Sequence, residues 1–166
     1  LKDEFYALRA FGVYQVELSE PLVEQIIELT KSDPHPDVRS AAVERLIETQ
    51  DPQYANVFEQ VLETEESADV KGMAYQGLGA LYVANGDVSK LSFFEEHWSK
   101  IEQYDALTFL GAYAELLTQA DTPKILESAK KLKEVALTDS SIFRRFGATN
   151  AINTLHAHLY QLAEDA

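Results

Sequence analysis

The segment Asp33-Pro34-His35-Pro36-Asp37-Val38-Arg39-Ser40-Ala41-Ala42, which continues to Leu46, decides how this chain folds. Two prolines and an acidic residue stand just before a run in which apolar residues recur three and four positions apart. Proline is accepted in the first turn of a helix, and an acidic side chain there can accept backbone N–H bonds. The segment therefore predicts a helix that begins directly after a tight turn.

The same pattern occurs in four segments, each with a basic residue at a reference position. An acid stands six residues before it, a small residue three after it, and an aliphatic residue seven after it. The basic residues are Arg9, Arg39, Lys71 and Arg145; the acids are Asp3, Asp33, Glu65 and Asp139; the small residues are Gly12, Ala42, Ala74 and Ala148; the aliphatic residues are Val16, Leu46, Leu78 and Ile152. In a fifth, defective segment, Phe109 replaces the basic residue and Gln103 the acid. The reference positions lie 30 to 38 residues apart, which predicts a repeat of two helices.

This D-x-x-x-x-V/L-R-x-x-A-x-x-x-L pattern resembles HEAT repeats over nearly the whole chain. The resemblance implies an all-α fold: an α-α superhelix, or HEAT-like solenoid, of about nine helices and 4.5 two-helix repeats. Helical periodicity between turn signals places the helices near residues 4–17, 21–31, 36–49, 52–64, 67–84, 89–101, 104–119, 122–137 and 141–163. Because the connections are short, we expect a single domain covering residues 1–166.

Several residues outside the repeated columns also mark helix boundaries. Ser19, Asp51 and Asp121 each precede a proline by one or two positions, so we expect them to cap helix N-termini. Asn85-Gly86 is expected to end a helix, because glycine adopts the backbone conformation of a helix C-terminus. Gly77 lies inside a helical pattern, where we expect it to allow close packing.

The repeated acidic and basic residues predict a structural role rather than a ligand site. An acid in the turn before a helix complements the positive end of the helix dipole. The basic residue six positions later can reach an acid of its own or of a neighbouring repeat. We therefore predict a ladder of ion pairs along the repeat turns, formed by Asp3, Arg9, Asp33, Arg39, Glu65, Lys71, Asp139 and Arg145.

The first helix carries the pattern of the second helix of a repeat, so its partner helix is expected upstream of Leu1. This indicates that the chain is a C-terminal fragment of a longer one. Without that partner, an apolar strip of the first helix should be exposed and available for docking. The strip consists of Phe5, Leu8, Phe11 and Val16.

The charge distribution argues against a nucleic-acid partner. The net charge is −14, and residues 1–66 hold 15 acidic side chains against 5 basic ones. An acidic surface repels phosphate backbones. No apolar run is long enough to cross a membrane, so no membrane partner is expected. The absence of cysteine excludes disulfides and thiolate metal sites and leaves the cellular compartment undecided.

No catalytic residue, metal site or cofactor is expected within these residues. The zinc-peptidase motif H-E-x-x-H is absent. The run Glu95-Glu96-His97 is acidic enough to attract a metal, but consecutive residues of a helix point in different directions. Lys130, Lys131 and Lys133 form a basic cluster that we interpret as a solvated helix face.

A narrower resemblance concerns the order of the repeats. The segments Leu1–Arg9, Phe93-Phe94 with Phe109–Tyr113, and Ala136–Arg145 resemble the C-terminal helical domain of bacterial zinc aminopeptidases of the aminopeptidase N class. In that family, the zinc and its motif lie in an upstream domain. The resemblance implies a non-catalytic accessory domain that packs on the catalytic domain of the same chain and helps enclose the substrate cavity.

The alternative is an independent HEAT-type scaffold that binds protein partners on the concave face of its stack. The sequence upstream of Leu1 would decide between the two. A zinc motif there favours the accessory domain, whereas further repeats favour the scaffold.

Overall fold

The computed structural model describes residues 4–101 and 105–164. Within these ranges the chain forms nine α-helices and no strand, which confirms the predicted all-α class. The helices are α1 (Tyr6–Gln15), α2 (Glu20–Ser32), α3 (Pro36–Ile47), α4 (Ala55–Thr64), α5 (Ala68–Asn85), α6 (Leu91–His97), α7 (Asp105–Leu117), α8 (Thr122–Thr138) and α9 (Ile142–Glu164). None of them is long and apolar enough to cross a membrane.

Two predicted helices are shorter than the sequence pattern suggested. The regions predicted as 52–64 and 89–101 each open with a 3-10 turn, at Pro52–Tyr54 and Val88–Lys90. Asp51 and Asp87 accept hydrogen bonds from backbone N–H groups two residues ahead, which holds these tighter turns in place. A third 3-10 turn, Trp98–Lys100, follows α6.

The chain divides into two compact units, residues 1–81 and 82–166, and each is described by itself. The single-domain organisation therefore stays a prediction. In the first unit, α3 packs against both α1 and α2, and α2 also contacts α4. Its core includes apolar side chains from each of α1 to α4, among them Val13, Ile26, Val38, Val43, Leu46, Phe58 and Val61.

In the second unit, α9 packs against both α7 and α8. The core next to α6 is aromatic: the ring centroid of Phe94 lies 4.8 Å from that of Phe109 and 5.6 Å from that of Tyr113. Gly147 of α9 lies so close to α7 that a Cβ there would stand 2.9 Å from the carbonyl oxygen of Ala106. The absence of a side chain at Gly147 therefore allows these two helices to approach.

Most of the predicted helix boundaries are confirmed. Asp121 accepts a hydrogen bond from the backbone N–H of Lys124 and caps α8, whereas Ser19 precedes α2 without a side-chain cap. His35 caps α3 through Nδ1, a role that its sequence position did not indicate. Gly86 has φ +63° and follows the last residue of α5, as predicted for a helix C-terminus.

Candidate functional site: turn ladder and exposed apolar surfaces

The first pair of the ladder joins α1 to the turn before α3. Arg9 donates from Nε to Oδ2 of Asp33 at 2.8 Å and from Nη2 to Oδ1 at 2.9 Å. The side chains are largely buried, at 12% and 4% exposure. A planar guanidinium held by both carboxylate oxygens is the strongest geometry for such a pair.

The second pair repeats this geometry one repeat later. Arg39 donates from Nε to Oε2 of Glu65 at 2.6 Å and from Nη2 to Oε1 at 2.8 Å. In both pairs, the basic residue of one repeat holds the acid of the next. Among the alternatives left open by the sequence, contact with a neighbouring repeat is therefore the one observed here.

The third guanidinium nitrogen of these arginines is held by the arginine's own repeat. Nη1 of Arg39 donates to the backbone carbonyl of Asp33 at 2.8 Å, and Nη1 of Arg145 donates to that of Asp139 at 3.1 Å. Arg9 reaches the carbonyl of Glu4 at 3.1 Å in a similar way. Each bond fixes the arginine against the turn six or five residues before it.

The acids of the ladder also accept hydrogen bonds from the backbone at the start of the next helix. Asp33 accepts the N–H of His35 at 2.9 Å, and Glu65 accepts the N–H groups of Glu66 and Ser67, both at 2.8 Å. Each carboxylate therefore binds an arginine and, at the same time, the backbone of its own turn. These bonds satisfy N–H groups that have no partner within the helix.

The pKa values of the acids follow from these contacts. Burial alone would raise the pKa of Asp33, but the hydrogen bonds from Arg9 and from the N–H of His35 outweigh it and lower the pKa. For Glu65, the hydrogen bond from Arg39 is the largest influence, and it lowers the pKa to about 2 despite burial. The same bond raises the pKa of Arg39.

The ladder changes in the second unit. The carboxylate of Asp139 is bound by Arg144, whose Nε lies 3.0 Å from both Oδ atoms, and not by Arg145, which contacts only the backbone carbonyl. The reference position of the preceding repeat holds Phe109, which has no charge to offer. Arg144 therefore supplies the partner from within the same repeat.

The remaining ladder residues are not brought into pairs in the described part of the chain. Lys71 makes no ion pair with residues 4–101 or 105–164. In the repeat that follows Lys71, Gln103 stands where the other repeats have an acid. Both Gln103 and Asp3 lie outside the described residues. The predicted roles of Asp3 and Lys71 therefore stay predictions.

An open polar cavity of about 270 Å³ lies beside the second pair. Arg39 and Glu65 form part of its wall, together with Thr30, Lys31, Thr64 and Glu66. The two charged groups are already bonded to each other, and the hydroxyls of Thr30 and Thr64 each donate to a backbone carbonyl of their own helix. The polar groups that the wall presents to solvent are therefore mainly those of the exposed Lys31 and Glu66.

A second polar cluster in the α6–α8 region was not predicted. Glu95 accepts hydrogen bonds from the hydroxyl of Tyr113 at 2.8 Å and from Nζ of Lys124 and Lys131, both at 2.9 Å. Burial alone would raise the pKa of Glu95, but these three bonds lower it to about 2. Burial, together with the bond to Glu95, raises the pKa of Tyr113.

This cluster corrects the interpretation of Lys131, whereas Lys130 and Lys133 are exposed. Lys131 was assigned to a solvated face, but it binds both Glu95 and Glu127. Glu95, for which the sequence predicted no metal, is the shared acceptor of two lysines. No group of three His, Asp or Glu side chains placed to hold a metal ion is found in the described ranges.

The predicted docking strip lies on α1 and on the residues that flank it. Phe5, Leu8 and Phe11 are exposed at 71%, 55% and 61%, whereas Val16, just after the helix, is half-buried. The opposite side of α1 is tied to α3 by Val13 in the core and by the hydroxyl of Tyr14, which donates to Glu44. Three of the four residues are therefore largely exposed to solvent.

A second exposed apolar surface lies where α8 passes into α9. Leu137 near the end of α8 is 70% exposed, and Ile142 and Phe146 in the first turns of α9 are 63% and 57% exposed. We call these three residues the terminal patch. The sequence alone did not predict it, because the apolar residues of α9 do not form one clear amphipathic face.

Comparisons with known proteins identify the repeat type. The family described as HEAT repeats matches residues 3–79 and, in a second overlapping match, residues 23–103. The matches stop before Phe109, the reference position at which the basic residue is lost. No curated protein and no solved structure matches the chain.

Proposed function

The chain belongs to the HEAT-repeat family, and we propose that it is a non-catalytic docking module whose α1 surface packs against another protein domain. HEAT repeats stack so that each unit covers the apolar face of its neighbour. The observation that carries the proposal is the exposure of Phe5, Leu8 and Phe11 on one side of a helix whose other side is part of the core.

Two properties of α1 support a built docking surface. Its position is fixed by the buried pair of Arg9 with Asp33, so the exposed side chains are held on a rigid element. Large aromatic and aliphatic side chains clustered on such an element are the usual centre of a protein interface. The surrounding acidic residues disfavour a nucleic-acid or anionic membrane partner.

We propose more specifically that the covering domain is the catalytic domain of a zinc-dependent aminopeptidase in the same chain. The support is the resemblance of the repeat order to the C-terminal helical domain of that family. In this arrangement, zinc and the catalytic residues belong to the upstream domain, and the present residues help enclose the substrate cavity. An independent scaffold that binds a separate protein is the alternative.

The test compares this chain with the full natural product of its gene by hydroxyl-radical footprinting, which labels accessible aromatic and aliphatic side chains. We expect Phe5, Leu8 and Phe11 to be labelled strongly in the isolated chain and protected in the full product. The exposed side chains Leu126, Tyr160 and Leu162 serve as matched controls. Equal labelling of α1 in both proteins would contradict the docking proposal.

The aminopeptidase assignment has separate readouts. The full product should retain zinc and hydrolyse aminoacyl anilides, whereas the isolated chain should do neither. If α1 is protected but the full product lacks an H-E-x-x-H motif, the docking proposal stands and the aminopeptidase assignment fails. Further repeats upstream would then favour the independent scaffold.

A further inference from the structure

The last reference-position arginine, Arg145, leaves one of its hydrogen-bonding edges open. In Arg9 and Arg39, Nε and Nη2 together grip a carboxylate of the following repeat. Nη1 of Arg145 is anchored to the carbonyl of Asp139, as Nη1 of Arg39 is to that of Asp33. Within residues 4–101 and 105–164, however, no acceptor bonds Nε or Nη2 of Arg145.

The carboxylate nearest in sequence cannot fill this edge. Asp139 is already bound by Nε of Arg144 through both oxygens and by the backbone N–H of Ser141. Nη1 of Arg144 donates to the backbone carbonyls of Ser99 and Ile101. Arg145 therefore has a fixed orientation and no carboxylate of its own.

The terminal patch and Arg145 belong to the same short stretch of chain. Ile142 and Phe146 lie three residues before and one residue after Arg145 on α9, and Leu137 is the second-last residue of α8. A carboxylate bound at Arg145 would bring its own neighbouring side chains against these three apolar residues. Exposed apolar surface next to an oriented arginine is the composition of an interface centre.

The contact surface is confined to the first two turns of α9. In the register of the repeats, Thr149 corresponds to Val13 and Val43, which are buried, but Thr149 is exposed and polar. Asn153, one turn further along, is also exposed and polar. A polar outer face is typical of the last repeat of an array. The apolar part of this α9 surface is therefore large enough to contact the start of one helix but not a further two-helix repeat.

We propose that Arg145 and the terminal patch form a second docking site, which binds a separate protein that presents a carboxylate at the start of a helix beside apolar side chains. The carboxylates that bind the corresponding arginines in the first unit show what such a partner must present. Asp33 and Glu65 each precede a helix and bind both nitrogens of one guanidinium edge. Asp33, Glu65 and Asp139 of a second copy are already paired internally. Asp3 lies outside the described residues, so a second copy that presents Asp3 is an outcome that the test distinguishes.

The probe for the test is an acetylated peptide of residues 31–47, which contains Asp33, its turn and the sequence of α3. It is titrated to millimolar concentration into the isotope-labelled 166-residue chain. The Nε–Hε signal of Arg145 and the methyl signals of Ile142 are followed by NMR. We expect saturable shifts at both positions, with no change in the Nε–Hε signals of the paired Arg9 and Arg39.

Three variants make the result specific. A peptide with Asp33→Asn should bind about tenfold more weakly, because it loses the bidentate charged contact. Arg145→Lys keeps the charge but loses the planar edge, and should weaken binding to a similar degree. Phe146→Ser should weaken binding of both peptides. Each variant chain is checked by thermal unfolding, and these exposed or half-buried positions should leave the transition in place.

Several outcomes would overturn the proposal. These are the absence of saturable binding, equal binding of the Asp33→Asn peptide, and shifts centred on α1 instead of α9. A shift of the Arg145 signal when the chain alone is concentrated would identify a second copy as the occupant, against the assignment of a separate protein. Because the site lies on α8 and α9, its failure leaves the α1 docking proposal untouched.

Discussion

Arg39 and Glu65, 26 residues apart in sequence, form a bidentate pair in which Nε lies 2.6 Å from Oε2 and Nη2 lies 2.8 Å from Oε1. The same guanidinium donates to the carbonyl of Asp33, and the same carboxylate accepts two backbone N–H groups in the turn before α5. This one residue pair thus connects the turn before α3 to the turn before α5.

We expect Arg39→Ala to lower the free energy of unfolding by about 1–3 kcal/mol, because the largely buried Glu65 would lose its charged partner. Urea unfolding followed by circular dichroism measures the change. Lys71→Ala is the matched control, since it removes a basic residue at the same repeat position that pairs with no described acid. Equal losses for the two variants would show that the ion pair itself contributes nothing.

The pair also predicts how stability depends on pH. The pKa of Glu65 is lowered from 4.5 to about 2 in the folded chain. The folded state therefore binds a proton less readily than the unfolded state, and the stabilisation is complete above about pH 4.5 and disappears as the pH falls through about 2. We expect the difference in stability between the natural chain and Glu65→Gln to shrink steadily over this range.

The control for this titration is Glu63→Gln, which removes an exposed carboxylate two residues away. Its stability difference from the natural chain should be small at every pH between 2 and 6. A constant difference for Glu65→Gln across the same range would mean that the pKa of Glu65 is not lowered by folding.

The sequence predicted those parts of the structure that depend on local spacing. The acid, the basic residue and the small residue of each repeat lie within one turn and one helix, so their pattern indicated both the helix start and the ladder. It could not identify the partner of Asp139. That choice depends on Phe109, in the preceding repeat, having no charge, and on Arg144 being free to take its place.

The Glu95 cluster shows where sequence reasoning fails for a physical reason. Glu95, Tyr113, Lys124 and Lys131 come from three different helices, and no periodic pattern relates them. Only the packing of α6, α7 and α8 brings them together. The terminal patch was missed for a related reason, because burial on α9 is set by its neighbours α7 and α8 and not by its own sequence pattern.

Close helix packing gives a further prediction. A Cβ at Gly77 would lie 2.8 Å from a ring carbon of Phe58 and 2.9 Å from Cγ1 of Ile47, closer than such atoms normally approach. Gly77→Ala should therefore destabilise the chain by about 1–3 kcal/mol through overpacking. Gly111→Ala is the control: nothing lies within 4 Å of the added Cβ in α7, so it should stabilise by about 0.5–1 kcal/mol. Thermal unfolding measures both changes. An equal loss of stability in the two variants would contradict the packing argument.

The last prediction concerns Glu95, the acceptor shared by Tyr113, Lys124 and Lys131. Glu95→Gln keeps the size of the side chain but removes its charge, so two lysines lose their common partner. We expect a loss of about 1–3 kcal/mol in the free energy of unfolding at neutral pH, since hydrogen bonds to charged groups contribute more than neutral ones. The loss should vanish as the pH approaches 2, because protonation neutralises Glu95 in the natural chain as well. The control is Glu96→Gln, which replaces an exposed neighbouring carboxylate and should change stability little. A similar loss of stability in both variants would show that the bonds of the cluster contribute no more than any surface charge.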